Sequence, residues 1–126
     1  MIFTHYLNSK MAQHNDTGNK AEAMAAKFLT KKGYEILDQN YNFGKGEIDI
    51  IALKDTWLVF VEVRARSEVT HGFPEQTISK NKANLIIKTA ENYIYQKNWH
   101  GKVRFDIIAI TIGEKFEIIQ FEDAFF

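Results

Sequence analysis

The sequence predicts an α/β domain in which two helices flank a mixed central sheet of about five strands. Three observations carry this. Two stretches keep apolar residues at helical spacing: one through Ala21, Met24, Ala25, Phe28 and Leu29, the other through Ala83, Ile86, Ile87, Ala90, Tyr93 and Ile94. Between and after them lie runs with the period of two that puts alternate side chains on opposite faces of a strand. Finally, the second helical stretch separates the third strand from the fourth, and such a crossover makes that pair parallel in an otherwise antiparallel sheet.

In chain order, Met1 to Gln13 carry no clear period and Met11-Ala12 resembles an alternative start. Residues 1–12 are therefore expected to be a disordered extension, and 13–126 a single domain. Asn15 or Asp16 is the expected cap of the first helix, and Gly33 its stop. Tyr34 to Tyr41 reads as the first strand. The turn Phe43-Gly44-Lys45-Gly46 leads into the second, and Trp57 to Arg66 forms the third. A polar loop from Ser67 to Gln76 holds His71, Gly72 and Pro74, the one proline. His71 offers proton transfer or phosphate binding, against the plainer reading of a solvated loop histidine. Thr77 or Ser79 caps the second helix, which runs to about Gln96, and Asn98 to Gly101 breaks it. Lys102 to Ile112 and Phe116 to Phe121 are the last two strands, with Trp99, Phe125 and Phe126 as packing residues.

Composition excludes several chemistries. The chain has 126 residues and no cysteine, which removes disulfides, thiolate zinc sites and cysteine nucleophiles. No apolar run reaches membrane-spanning length and the first residues lack the apolar core of a signal peptide, so the expected location is cytoplasmic, with no membrane partner. Sixteen basic and sixteen acidic residues cancel, and the overall charge gives no support to nucleic-acid binding. Their distribution is less even. Between Arg64 and Arg104, eight bases (Arg64, Arg66, Lys80, Lys82, Lys88, Lys97, Lys102 and Arg104) face three acids, Glu68, Glu75 and Glu91. A basic sector of this kind can hold a phosphate backbone, although solvated helix faces account equally well for Lys80, Lys88 and Lys97.

The residues from Gly46 to Arg66, GEIDIIALKDTWLVFVEVRAR, place charge where strands normally carry apolar side chains. In the second of these strands Leu58, Phe60, Glu62 and Arg64 share a face. In the first, the same rule groups Glu47, Asp49, Ile51 and Leu53 against Ile48, Ile50 and Ala52. A two-residue loop of Asp55-Thr56 sets Asp49 directly opposite Glu62, and a loop of Lys54-Asp55 sets Glu47 there with Asp49 one diagonal step away. A three-residue loop puts Asp49 and Glu62 on opposite faces. Facing carboxylates repel and need a base or a divalent cation. Carboxylate oxygens with room for waters suit Mg²⁺, with Mn²⁺ as a substitute, rather than Zn²⁺. The plainer reading is a solvated salt-bridge cluster of Asp49, Glu62 and Arg64, worth about 1 kcal/mol or less per pair. Leu58 and Phe60 on the same face favour the rim of a cleft. Glu22, near the apolar face of the first helix, either favours that helix's dipole or reaches over the sheet toward these carboxylates. Lys82, beside the stripe of the second helix, either snorkels or points back at the cleft.

Four blocks in this order, GEIDII, FVEVRAR, KNKANLIIKTAENYI and VRFDIIAI, resemble the YraN family of uncharacterised bacterial proteins. That family is similar in fold to the Holliday-junction-resolvase branch of the PD-(D/E)XK nucleases. The resemblance implies a restriction-endonuclease-like αβββαβ core and a metal-dependent nuclease that hydrolyses phosphodiesters in structured, branched or junction DNA. It implies that Asp49 and Glu62 hold Mg²⁺ with the backbone carbonyl of Val63, and that Glu22 is the helical acid near the metal. Arg64 stands where the nuclease pattern has Lys; guanidinium grips phosphate well but stays protonated. By the same resemblance Arg66, Lys80, Lys82 and Lys45 place the nucleic-acid backbone, on branched or single-stranded DNA, and a homodimer is expected by analogy. Two rivals remain: a nucleic-acid-binding protein that keeps the nuclease fold without turnover, and a protein-interaction module.

Overall fold

A computed structural model describes residues 12–67 and 78–125. Helix α1 (Ala12–Lys31) precedes strands β1 (Glu35–Phe43), β2 (Gly46–Lys54) and β3 (Trp57–Ser67); helix α2 (Lys80–Lys97) then crosses to β4 (Lys102–Ile112) and β5 (Glu117–Phe121). The five strands form one sheet in chain order, antiparallel throughout except for the parallel pair β3–β4 on either side of the crossover.

The elements start and stop for local reasons. Gly33, at φ +96°, closes α1: its N–H donates to Thr30 O and the Tyr34 N–H to Leu29 O, a Schellman arrangement that needs a left-handed residue at this point. Asn98 plays the same part at the end of α2, at φ +54°, and at its start the Ser79 hydroxyl accepts the Lys82 N–H. The first helix corrects one expectation. It begins at Ala12, so Asn15 and Asp16 lie within it and neither is its cap. The strand limits move by a residue or two from those read in the sequence. Residues 1–11, most of the loop with His71 and Pro74, and Phe126 lie outside the described residues.

Each helix buries its stripe on its own face of the sheet. Ala21, Ala25 and Leu29 of α1 pack on Ile50, Ala52, Val59, Val61, Ile108 and Ile110. Ala83, Ile86, Ala90 and Tyr93 of α2 pack on Ile48, Ile51, Leu58, Phe60 and Ile107, and the chain end returns to add Phe125. That end is pinned by Asp106, wholly buried on β4. Its carboxylate accepts from Arg104 Nε and Nη2, Gln120 Nε2 and the Asp123 N–H, all between 2.8 and 3.0 Å. None of the helices among the described residues is long and apolar enough to cross a membrane.

Candidate functional site

The β2–β3 hairpin closes through Asp55-Thr56, with Lys54 paired to Trp57 and Asp55 at φ +55°. This is the two-residue loop among the alternatives open in the sequence, and it fixes the register that brings Asp49 level with Glu62. The regular ladder runs only as far as Ile50↔Val61. Beyond it the two strands part, and the Val63 N–H is taken at 2.8 Å by the carboxylate of Asp49 instead of by a main-chain carbonyl.

This break changes the facing of β2. Strict alternation puts Ile48 and Ile50 together, yet Ile48 joins the core under α2 while Ile50 and Ala52 lie under α1. The neighbouring strand is irregular at the same level. Asn40, which falls between the pairs Gln39↔Ile50 and Tyr41↔Ile48, has φ +54°, a conformation asparagine tolerates better than most residues. Chain reversal of side chains on both strands therefore occurs together, around Asp49.

The parted strands leave a cavity of about 340 Å³ that both helices reach. Glu22 of α1, Lys45, Glu47 and Asp49 from the β1–β2 turn and β2, Glu62 of β3, and Lys82 of α2 line it. Glu62 is only 6% exposed, and its Oε2 lies 2.5 Å from Lys82 Nζ, whose own side chain is half exposed. Burial, the charge of Glu62 and a hydrogen bond to its carboxyl push the Asp49 carboxyl up to about 8, against the opposing pull of the Val63 N–H. Glu22 is also raised, first by burial and then by Glu47 and Glu62, while a hydrogen bond from the Asn40 side chain works the other way. The acids of one helix and two strands thus sense one another through the cavity.

The α2 side of the cavity is set by close packing at Gly46. A Cβ there would collide with Thr89 Oγ1 and stand 2.9 Å from Leu85 O, so only glycine lets α2 lie this near the start of β2. That approach carries Lys82 to Glu62.

The candidate residues divide accordingly. Asp49, Glu62, Glu22, Lys82 and Lys45 surround the cavity; Arg64, Arg66 and Lys80 are not among the described residues that line it. Arg64 shares β3's α2-facing side with Glu62 but lies one alternate position further along the strand, beside Ala109. Glu47 and Asn40 are additions. Glu47 stood in the same alternating set as Asp49, and Asn40 was detectable only as an asparagine inside a strand. Among the described residues no three acidic or histidine side chains are grouped closely enough to hold an ion by themselves. The available donors are therefore the Asp49–Glu62 pair, main-chain oxygen and water.

A mixed five-stranded sheet between two helices, in the order helix, three strands, helix, two strands, places the molecule among α/β domains with a restriction-endonuclease-like core. The chain belongs to the family described as Uncharacterised protein family UPF0102, whose profile matches residues 21–110; this is the YraN family that the four sequence blocks resemble. A UPF0102 protein of Flavobacterium psychrophilum is 44% identical over 117 residues, covering 92% of this chain and 98% of its own length. One from Cytophaga hutchinsonii is 42% identical, covering 84% and 93%. One from Clostridium perfringens, 38% identical, covers 91% and 98%.

Proposed function

We propose that this protein is a metal-dependent nuclease that hydrolyses phosphodiester bonds in branched or junction DNA. The observation that supports this reading above all is the Asp49–Glu62 pair, two carboxyls brought together at the fork of a β-hairpin, inside a cavity open to solvent and edged by Lys45 and Lys82. Crowding of that kind is unfavourable in a metal-free protein and is relieved by a doubly charged cation. The donor set fits Mg²⁺ or Mn²⁺: oxygen only, with two protein carboxylates and the main-chain carbonyl of Val63 leaving the remaining positions to water. When bound, the ion would supply Lewis-acid polarisation of the phosphate and a lowered pKa for water.

The chain's own residues have distinct tasks. Asp49 anchors the fork through the Val63 N–H, so its carboxylate cannot drift from Glu62 without breaking that bond. Glu22, held by Asn40, closes the α1 side of the cavity with a further carboxyl group. Lys45 offers a flexible cation for phosphate at the mouth, and Arg64, Arg66 and Lys80 offer charge along the path leading away from it. None of these groups reads bases, so the shape of the nucleic acid is the feature selected. Pairing of two copies would suit a branched substrate, and it enters here by analogy with resolvases.

The second reading, a nucleic-acid-binding protein without turnover, is favoured by one detail: the position two residues after Glu62 holds Arg64, which is absent from the cavity lining. A single experiment separates the two. Wild type and Asp49→Asn are titrated with Mn²⁺, then incubated at low salt with a panel of branched, nicked and flapped DNA. Cleavage by wild type alone is the expected result. Binding with no cleavage by either protein, in Mg²⁺ and in Mn²⁺, selects the binding protein, and neither binding nor cleavage refutes both readings.

A further inference from the structure

We propose that Lys82 is the cavity's exchangeable counter-cation: its ammonium neutralises Glu62 in the metal-free protein, yields that carboxylate to a divalent ion, and is then available to phosphate at the same opening. This rests on the metal-dependent reading given above and gives Lys82, for which the sequence offers a cleft-facing or a snorkelling position, a task at the acids themselves.

Four features of the structure lead to it. The contact is close, 2.5 Å from Nζ to Glu62 Oε2, and its two ends differ, the carboxylate being 6% exposed and the lysine side chain 50%. A buried acid is thus paired with a cation that can leave toward solvent. Lysine suits exchange better than arginine does, because its charge is compact, sits on a long flexible stem and holds a carboxylate through a single point. The lysine also has a fixed base. It lies in the first turn of α2, where its own N–H is bound by the Ser79 hydroxyl at 3.2 Å, and α2 in turn is seated against Gly46. The stem can swing while its root stays in place. Lastly, Lys82 lines the cavity and Arg64 does not, so the movable positive charge nearest the Asp49–Glu62 pair comes from α2 instead of from the strand that carries Glu62.

A cation that must be displaced competes with the incoming ion. Replacing Lys82 with methionine keeps the length of the stem and removes the competitor. The test is calorimetric titration of the full chain with Mn²⁺ alone, on wild type, Lys82→Met and Lys82→Arg, together with melting curves of each with and without saturating Mn²⁺. The expected result is about tenfold or more tighter Mn²⁺ binding by Lys82→Met, since a unit positive charge within a few ångströms of the site has been removed, and no such gain in Lys82→Arg. Without metal, Lys82→Met melts several degrees below wild type because Glu62 is left buried without its counter-cation; with saturating Mn²⁺ that gap closes or reverses. A purely structural ion pair would keep the gap in both conditions.

Unchanged or weaker Mn²⁺ binding by Lys82→Met, while wild type binds and Asp49→Asn does not, overturns the role of Lys82 and leaves the nuclease reading standing. Absence of Mn²⁺ binding by every protein in the series overturns both. A Lys82→Met variant too unstable to titrate is replaced by Lys82→Gln, judged by the same two readouts.

Discussion

Replacing Asp49 with asparagine should make the metal-free protein more stable, by an amount that grows with pH. The carboxyl lies at 3.8 in its ordinary state and is pushed up to about 8 in the folded chain. Below pH 3.8 it is protonated whether the chain is folded or not, and its favourable contribution is intact. Above that, the unfolded chain releases the proton while the folded chain retains it, so stability falls by up to about 1.4 kcal/mol per pH unit until the folded group ionises near 8. From pH 4 to pH 7 the ceiling is about 4 kcal/mol. Water in the open cavity and solution cations near Glu62 reduce this to about 2–3 kcal/mol. Asparagine keeps an oxygen for the Val63 N–H and adds an amide N–H₂ that can donate to Glu62, so the fork survives the change. Urea unfolding with chelator present, from pH 4 to pH 8.5, measures the difference directly. The two proteins should be close at pH 4. At pH 7 the variant should be ahead by about 2–3 kcal/mol, equivalent to about 8–12 °C in melting temperature, and by somewhat more at pH 8. Parallel pH curves, or a variant less stable than wild type at pH 8, would refute the crowding on which the site's chemistry depends.

Two further outcomes test how the site is held. Gly46→Ala should cost about 2–4 kcal/mol in chemical denaturation, because the added methyl meets Thr89 Oγ1 and Leu85 O; adding Thr89→Ala should recover only part of the loss, since the Leu85 carbonyl is main chain. Asp106→Ala should cost about 3–5 kcal/mol, because it strips a buried charge partner from Arg104 and an acceptor from Gln120 and the Asp123 N–H; near-wild-type stability in that variant would mean the end of the chain is not secured by this network.

Much of the fold could be read from the chain because its signals were local. The α2 stripe, the Gly33 and Asn98 stops and the crossover between β3 and β4 each depend on residues close in sequence. The meeting of Asp49 with Glu62 was legible for the same reason, since a two-residue loop fixes the partner of every position in a hairpin simply by counting. Counting failed at Asp49 itself. Alternation assumes that each residue gives its main chain to the ladder, whereas Asp49 gives its side chain to Val63 N and Asn40 opposite takes a left-handed turn, so Ile48 emerges on the unexpected face. The start of α1 was missed because its first turn has no acidic residue and begins before the residues that looked like caps.

The most consequential feature the sequence leaves open is which cation serves the pair of acids, Lys82 being readable either as a snorkelling base or as one aimed at the cleft. In sequence, Arg64 is two residues from Glu62 and Lys82 is twenty. On a strand, however, residues two apart stand about 6.5–7 Å from each other along the backbone, and their side chains run side by side instead of converging. A helix packed against the same strands can aim a side chain across that gap, provided it lies close enough. Here the closeness is set by the missing Cβ of Gly46, far from both residues in any motif, and it brings Lys82 Nζ to 2.5 Å from Glu62. Motif spacing therefore identifies the two acids, which belong to one hairpin, but not their cationic partner, which is chosen by how a helix settles on the sheet.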